Sequence, residues 1–93
     1  MAVTVRLAGA LRDATGGHTK LEARAGTLAD VITEIDRRHP GFRSRVLDDS
    51  GAIRTYVNVY IGDDDARSKG GAGATVPDGS EVMVIPAMAG GDA

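Results

Sequence analysis

The chain has 93 residues, which leaves room for one small hydrophobic core and little space for a deep substrate cavity, so an independent enzyme is not expected. Its net charge of −2 and its lack of tryptophan provide neither a basic surface nor a stacking platform, which argues against nucleic acid as a partner. The absence of cysteine excludes disulfides, thiolate nucleophiles and cysteine-ligated metals.

The composition is that of a soluble globular domain rather than of a disordered or membrane protein. Hydrophobic residues make up 42% of the chain and charged residues 26%, close to the usual values for folded domains. No stretch has the length of a membrane span, and the first residues show a strand pattern instead of a basic and then apolar signal sequence. We therefore expect a cytoplasmic protein.

Two N-terminal segments are predicted to be strands. Val3, Val5 and Leu7 alternate with polar residues, the period-two pattern of a half-buried strand, so the first strand is predicted at residues 3–8. A polar connection that contains glycines follows. Residues 18–23 are then predicted to return as the second arm of a hairpin.

The clearest predicted element is a helix at residues 28–38. Thr27 has the features of an N-cap residue, and Asp30 three positions later completes the pattern of a capping box. The apolar residues recur at helical spacing and predict one buried stripe: Leu28, Val31, Ile32 and Ile35. Pro40 and Gly41 are expected to prevent the helix from continuing.

The second half of the chain is predicted to contribute two further strands. A connection held to the core by Phe42, Val46 and Leu47 leads to an alternating strand at residues 56–61. Residues 62–74 are acidic and then glycine-rich, residues 76–79 form a turn, and the last strand covers residues 81–85. The element order predicts an α+β roll with one helix on one face of a mixed sheet.

Alternation in the strand at residues 56–61 suggests a docking surface. Every second apolar residue is expected to point inward: Val57, Val59 and Ile61. Tyr56, Asn58 and Tyr60 would then lie on the outer face, where the two tyrosines could contact a partner protein. Ordinary strand propensity is the alternative explanation for the same residues.

Four other features fall short of a functional motif. Residues 70–73 lack the Lys-Ser/Thr pair that follows a phosphate-binding loop, and the acidic residues 63–65 lack the glycine and late glutamate of an EF-hand loop. His18 and His39 have no ligand spacing and are expected at the surface, so no metal site is predicted. A group of arginines either meets an acidic patch on a partner or forms a solvated face: Arg37, Arg38, Arg43 and Arg45.

The last predicted strand stops at Pro86 and is followed by small residues and a glycine pair. These residues are Ala87, Met88, Ala89, Gly90 and Gly91. Glycine has no Cβ atom, so a reacting group can approach its carbonyl carbon from either side. When extended, such a tail spans about 20 Å and can enter the active site of another protein. A frayed terminus is the plainer alternative.

Groups of residues along nearly the whole chain carry a family resemblance. They are Leu11-Arg12 with Thr15-Gly16-Gly17, Thr27-Leu28 with Val31-Ile32, the strand at residues 56–61, and Val84-Ile85 with residues 86–91. In this order they resemble the MoaD/ThiS-type sulfur carriers, which are prokaryotic ubiquitin-like proteins. Arg54, residues 63–67 and Gly70-Gly71 make the resemblance closest to the CysO-type carriers within that family.

The resemblance implies a β-grasp domain at residues 1–86, with a mixed sheet of four to five strands covered by one main helix, and a flexible tail at residues 87–93. It further implies that the chain is a protein cosubstrate, not an enzyme, and that it binds no cofactor of its own. An E1-like adenylyltransferase of the MoeB/ThiF type would use MgATP to adenylate Gly91, and a sulfur donor would then convert Gly91 to a thiocarboxylate. A sulfur-acceptor enzyme, such as a PLP-dependent cysteine synthase, would receive the sulfur from a monomeric carrier.

The residues after the glycine pair depart from the usual family pattern. Asp92 and Ala93 follow Gly91 and block its carboxylate. By analogy with ubiquitin precursors, we expect a JAMM-type zinc metalloprotease to remove both residues. The other explanation is a terminal change in a carrier that has lost its chemistry.

Three alternatives concern the function itself. The same fold could serve as a ubiquitin-like interaction module or as the small subunit of a molybdopterin synthase, and an enzyme that uses His39 is the third. For a carrier, the sulfur could serve cysteine, molybdopterin, thiamin or a thiolated metabolite. We expect cysteine biosynthesis, because the resemblance to CysO-type carriers is the closest.

Overall fold

The sheet is built around the strand that ends the described part of the chain, which is residues 2–86 of a computed structural model. Within these residues the strands are β1 (Ala2–Leu7), β2 (Lys20–Arg24), β3 (Gly26–Thr27), β4 (Val57–Ile61), β5 (Asp64–Asp65), β6 (Thr75–Val76) and β7 (Glu81–Pro86). The α-helices are α1 (Leu28–Arg38) and α2 (Phe42–Val46), and 3₁₀ helices span Gly9–Thr15, Ala66–Lys69 and Gly71–Gly73. The predicted tail at residues 87–93 lies outside the described residues, so the domain boundary after residue 86 stays a prediction.

Five strands form one mixed sheet in the order β2-β1-β7-β4-β5. β7 runs parallel to β1 and antiparallel to β4, while β2 and β5 pair antiparallel with their neighbours at the two edges. A separate two-stranded sheet joins β3 to β6. The predicted α+β roll, with a mixed sheet and one main helix, is confirmed with five strands in the main sheet.

Helix α1 begins and ends as predicted. The Thr27 hydroxyl accepts from the backbone N–H of Asp30 at 3.1 Å, and the Asp30 carboxylate accepts from the backbone N–H of Thr27 at 3.2 Å. This reciprocal pair is the predicted capping box, and it satisfies two backbone donors that the first turn leaves free. Across residues 2–86, α1 and the other helices are too short or too polar to cross a bilayer.

The core lies between α1 and one face of the sheet. The predicted stripe of α1 is fully buried: Leu28, Val31, Ile32 and Ile35. From the sheet, alternate residues meet it, among them Val5, Val59, Val82 and Val84. The predicted core contacts of the following connection are also present, because Phe42, Val46 and Leu47 are each buried to within 1% exposure.

The structure differs from the sequence prediction mainly in short elements. Helix α2 was not predicted, although Phe42 and Val46 are four residues apart and therefore share the face that packs on the core. The 3₁₀ helix Gly9–Thr15 was expected to be an irregular connection. Thr75 and Val76 form β6 and pair with Gly26 and Thr27, so the predicted turn at residues 76–79 begins one residue later than expected.

Gly9 permits the close packing of Pro86 at the end of β7. Gly9 has a φ of +60°, and a Cβ atom on it would lie 2.8 Å from Cγ of Pro86. Real side chains do not approach so closely, and the left-handed φ is itself unfavourable for residues other than glycine. The turn that ends β1 can therefore cover the Pro86 ring only because residue 9 has no side chain.

We predict that Gly9→Ala lowers the free energy of unfolding by more than the left-handed backbone alone explains. Gly62 is a matched control, because its φ is +62° and nothing lies within 4 Å of the position that a methyl group on it would take. Gly62→Ala is expected to cost about 1–2 kcal/mol, and Gly9→Ala clearly more. Urea titrations measure both changes, and equal losses would contradict a packing role for the Gly9–Pro86 contact.

The turn after α2 is held by one aspartate. Oδ1 of Asp48 accepts from the Ser50 hydroxyl at 2.6 Å, from the Ser50 backbone N–H at 2.9 Å and from the Ala52 backbone N–H at 3.1 Å. These bonds stabilise the charged carboxylate, the Ser50 hydroxyl most of all, and they hold the pKa of Asp48 below its ordinary value.

We predict that Ser50→Ala raises the pKa of Asp48 towards the ordinary value of an aspartate, as measured by NMR titration of its carboxyl carbon. Because the pKa is lowered in the folded state, the charged carboxylate stabilises the fold above the unfolded-state pKa of about 4, and this contribution is lost as the pH falls through the folded-state value. Ser68→Ala is the control, since the Ser68 hydroxyl donates to the Asp65 carbonyl instead. An unchanged Asp48 pKa in Ser50→Ala would be evidence against this assignment.

Candidate functional site

Pro86 marks the point where the chain leaves the centre of the sheet. It ends β7, opposite Val57 of β4, while on the other side the β1 ladder reaches Val84 through Leu7. Two backbone ladders thus hold β7 as far as Val84, and the β4 ladder continues to Pro86. The residues predicted to react or to form the tail, Ala87, Met88, Ala89, Gly90 and Gly91, lie outside the described residues.

A groove of about 320 Å³ opens beside Pro86. We call it the tail-root groove; it is lined by Ala10, Leu11, Ser44, Arg45, Tyr56, Val57 and Pro86. These residues come from the first 3₁₀ helix, from α2, and from the chain around β4 and β7, which are distant in sequence. Most of its walls are apolar, and Arg45 is the charged residue among those that line it.

Tyr56 is the large, solvent-exposed side chain of this groove. It is 57% exposed and is the large hydrophobic side chain most open to solvent among residues 2–86. The Arg54 guanidinium carbon lies 5.9 Å from the centre of the Tyr56 ring, within the range of a cation–π contact. The aromatic ring is thus presented to solvent beside a charged neighbour.

Hydrogen bonds from two arginine side chains hold the turn that carries Tyr56. Nη2 of Arg67 donates to the carbonyl oxygens of Arg54 at 2.6 Å and of Val57 at 2.7 Å. Nε of Arg54 donates to the Ser44 carbonyl at 2.7 Å, which links the same turn to α2. Tyr56 therefore projects from a turn whose backbone carbonyls are satisfied and whose position relative to α2 is fixed.

Both tyrosines predicted to lie on an outer face are accessible, while Val57 and Val59 between them are buried. Tyr56 directly precedes β4 and lines the tail-root groove. Tyr60 lies within β4 opposite Met83 and Asp65, on the face away from the buried Val59. The predicted docking role of Tyr56 and Tyr60 stays a prediction, and for Tyr56 the structure adds a neighbouring groove.

The arginines that the sequence analysis grouped together lie in different surroundings. Arg38 lies 3.7 Å from the Glu34 carboxylate and donates to the Glu22 carbonyl at 2.5 Å, so it is held against β2. Arg43 and Arg45 lie on α2 and are exposed, and within residues 2–86 neither forms an ion pair. Positive charge is thus available on α2, next to the groove.

A second cavity, of about 550 Å³, lies between the Asp48 turn and the glycine-rich segment. Residues 50–53, Arg67 and residues 70–73 line it. Arg67 is the ionisable residue in this lining, and its guanidinium already donates to backbone carbonyls. The glycine-rich segment forms part of a 3₁₀ helix rather than a phosphate-binding loop, in line with the sequence interpretation.

His18 and His39 are brought together although their spacing gave no sign of it. Their ring centres are 5.4 Å apart, and Nδ1 of His18 lies 2.5 Å from the Thr15 carbonyl oxygen. In the part of the chain that the structure describes, no three His, Cys, Asp or Glu residues converge to hold a metal ion. The acidic run is engaged locally, since Asp65 accepts from the Arg67 backbone N–H and Asp64 lies 3.5 Å from Lys69.

Comparison with known proteins gives consistent matches over nearly the whole chain. A family model described as the ThiS family matches residues 5–91. The chain is 38% identical over 93 residues to the sulfur carrier protein CysO of Mycobacterium bovis, covering 98% of this chain and 100% of that protein. Among solved structures, a chain of the Amycolatopsis orientalis BexX/CysO complex matches with a TM-score of 0.88 at 37% identity, covering 96% of this chain and 99% of that chain. Mycobacterium tuberculosis CysO matches with a TM-score of 0.86 at 35% identity, with coverages of 92% and 99%.

These matches include both the described fold and the residues beyond it. The family match begins in β1 and reaches Gly91, so it contains the glycine pair as well as the sheet. The resemblance drawn from the sequence, both to the family and to the CysO-type carriers, is confirmed. The chain belongs to the ThiS family and has its ubiquitin-like β-grasp fold.

Proposed function

We propose that the chain is a sulfur carrier whose Gly91 carboxylate is converted to a thiocarboxylate. The observation that carries this proposal is the family match through Gly91, combined with 38% identity to a sulfur carrier over the full length of both chains. The position of Pro86 at the end of a central strand supports it, because the reactive segment then starts from a rigid point.

The chemistry requires two displacements at the end of the chain. A carboxylate oxygen of Gly91 attacks the α-phosphorus of ATP, and pyrophosphate leaves. A sulfide-class donor then attacks the acyl carbon, and AMP leaves with the bonding electrons to give the thiocarboxylate. Activation is needed because a carboxylate resists nucleophiles, whereas AMP is a good leaving group.

In this scheme the carrier is a protein substrate, and its partners supply the catalytic groups. An E1-like enzyme of the MoeB/ThiF type holds MgATP and performs the adenylation. Gly90 and Gly91 allow the reacting groups to approach the acyl carbon because they have no side chains. Pro86 fixes where the segment begins, which limits the positions that the carboxylate can sample.

Residues that follow Gly91 must be removed before its carboxylate can react. Asp92 and Ala93 occupy these positions in the sequence. We propose that a JAMM-type zinc metalloprotease cleaves after Gly91. The carrier would then resemble a ubiquitin precursor, whose terminal glycine is exposed by proteolysis.

For the sulfur acceptor we propose a PLP-dependent cysteine synthase that holds an activated serine. The likeness to CysO supports this choice over molybdopterin, thiamin or a thiolated metabolite. The matched Amycolatopsis orientalis protein is a CysO in complex with BexX, which supports docking of such a carrier on a second protein. Because the reaction consumes ATP, we propose that it takes place in the cytoplasm with a monomeric carrier.

We predict that a chain ending at Gly91 gains the mass of one sulfur in place of one oxygen when it is incubated with MgATP, sulfide and an E1-like activating enzyme. Intact-mass spectrometry measures this change directly. A chain ending at Ala89 is the control, because it keeps the described fold but lacks both glycines. The full 93-residue chain is expected to remain unmodified until the residues after Gly91 are cleaved.

Two outcomes would overturn parts of the proposal. If the chain ending at Gly91 neither releases pyrophosphate nor takes up sulfur, it is not a carrier, and the ubiquitin-like interaction module becomes the better explanation. If the full 93-residue chain takes up sulfur as fast as the shortened chain, the maturation step is wrong while the carrier role stands.

A separate prediction concerns the enzyme that accepts the sulfur. The thiocarboxylate form, mixed with a PLP-dependent cysteine synthase and an O-acylated or O-phosphorylated serine, is expected to form a cysteine adduct on Gly91 that mass spectrometry detects. The same mixture with the carboxylate form is the control and should give no adduct. Sulfur transfer to a molybdopterin or thiamin precursor instead would contradict the cysteine assignment.

A further inference from the structure

We propose that the tail-root groove is the docking site for the activating enzyme, which inserts an apolar side chain flanked by carboxylates. This inference rests on the proposed carrier function and adds the surface that a partner recognises and the chemistry of the group that fills it. Four features support this inference: the walls of the groove, the exposure of Tyr56, the charge beside Tyr56 and the small number of residues between the groove and Gly91.

The walls of the groove suit an apolar side chain. Ala10 and Pro86 supply accessible aliphatic surface, with the buried Leu11 and Val57 behind it, and the groove volume of about 320 Å³ is at the lower end of the range for ligand pockets. Its walls are joined by hydrogen bonds from Arg54 and Arg67, so the shape exists before a partner arrives. A preformed groove loses less conformational entropy on binding than a flexible one.

Tyr56 gives the groove an anchor residue. A tyrosine with 57% of its surface exposed keeps apolar area in contact with water, and a partner that covers it gains the transfer free energy of that area. Tyrosine and arginine are the residue types enriched where single side chains dominate binding energy. Here the two types lie side by side, because Arg54 stacks near the Tyr56 ring and Arg45 lines the same groove.

The charge around the groove selects an acidic partner. The first 3₁₀ helix and α2 carry Arg12, Arg43 and Arg45, all exposed and without an ion pair in residues 2–86. The first 3₁₀ helix carries one acidic residue, the exposed Asp13, and α2 carries none; the Asp36 carboxylate at the start of α2 already accepts from the Gly41 and Arg43 backbone N–H groups. Carboxylates on a partner would therefore find unpaired guanidinium groups.

The short stretch of sequence between the groove and Gly91 suits an enzyme that must bring the terminal carboxylate to its own ATP. Pro86 forms part of the groove wall, and Gly91 follows five residues later, so an extended chain can reach at most about 17 Å from the groove. An enzyme that binds the groove keeps the Gly91 carboxylate within this reach, and therefore close to its own bound ATP. Adenylation requires this, since a free terminus must be brought to the α-phosphorus before any covalent bond joins the two proteins.

Two variants of the chain ending at Gly91 test the proposal: Tyr56→Ala and Arg45→Glu. We expect each to raise KM for the carrier at least about tenfold in pyrophosphate release by the E1-like enzyme, with little change in kcat, because binding is lost and the reacting atoms are untouched. Calorimetry is expected to show a matching rise in Kd. The wild-type KM should increase with salt, and Arg45→Glu should reduce that dependence.

Arg24→Glu is the matched control for charge. Arg24 is exposed on β2 opposite Ala2, at the end of the sheet away from Pro86. The Arg24→Glu substitution changes the net charge by the same amount as Arg45→Glu and is expected to leave KM within about twofold of wild type. Circular dichroism and urea titration establish that each variant is folded, and if Tyr56→Ala does not fold, the exposed Arg45→Glu substitution still decides the question.

The outcomes separate this inference from the function on which it rests. If the wild-type chain ending at Gly91 is not adenylated at all, the carrier function fails. If it is adenylated and Tyr56→Ala and Arg45→Glu keep the wild-type KM and Kd, the function stands and the groove is not the docking site. An equal rise for Arg24→Glu, a loss confined to kcat, or a weakened contact with the acceptor enzyme alone would each also overturn the docking proposal.

Discussion

Backbone pairing on both sides of β7 is the constraint on which the rest of the structure depends. The strand lies between a parallel partner, β1, and an antiparallel partner, β4, so the end of the domain is held at the centre of the sheet. A terminal strand at an edge would have only one ladder and would open more easily. Central placement lets a very small protein give its terminal residues a well-defined origin.

The surroundings of Pro86 show how the fold combines this anchor with a recognition surface. Gly9 allows the end of β1 to turn away over the proline ring, and α2 and the Tyr56 turn complete the groove on the other side. Side-chain hydrogen bonds join these segments: Arg54 donates to the Ser44 carbonyl, and Arg67 donates to the carbonyls of Arg54 and Val57. The same side chains that stabilise the loops therefore determine the shape of the groove.

The sequence was sufficient for the elements that depend on local pattern. Sequence pattern located β1, β2, β4 and β7 to within two residues, and the capping box of Thr27 and Asp30 located the start of α1, because these signals come from neighbours along the chain. The two-residue strands β3, β5 and β6 were not predicted. The groove could not be predicted in the same way, because its walls come from segments as far apart as Ala10 and Pro86, which meet only in the folded chain. The accessible and buried residues alternate from Tyr56 to Tyr60 as expected, while the docking role of the two tyrosines stays a prediction. The spacing of Phe42 and Val46 did contain a signal for α2, but it covers a single turn.

The parallel and antiparallel ladders of β7 also have a mechanical consequence. A partner that draws the terminal residues into its own active site pulls along the axis of β7. The hydrogen bonds on both sides of the strand lie across that direction, so they share the load in shear instead of breaking one after another from the end. In the proposed carrier role, the chain could therefore be drawn tightly into the active site of a partner and released again without its own sheet being peeled apart.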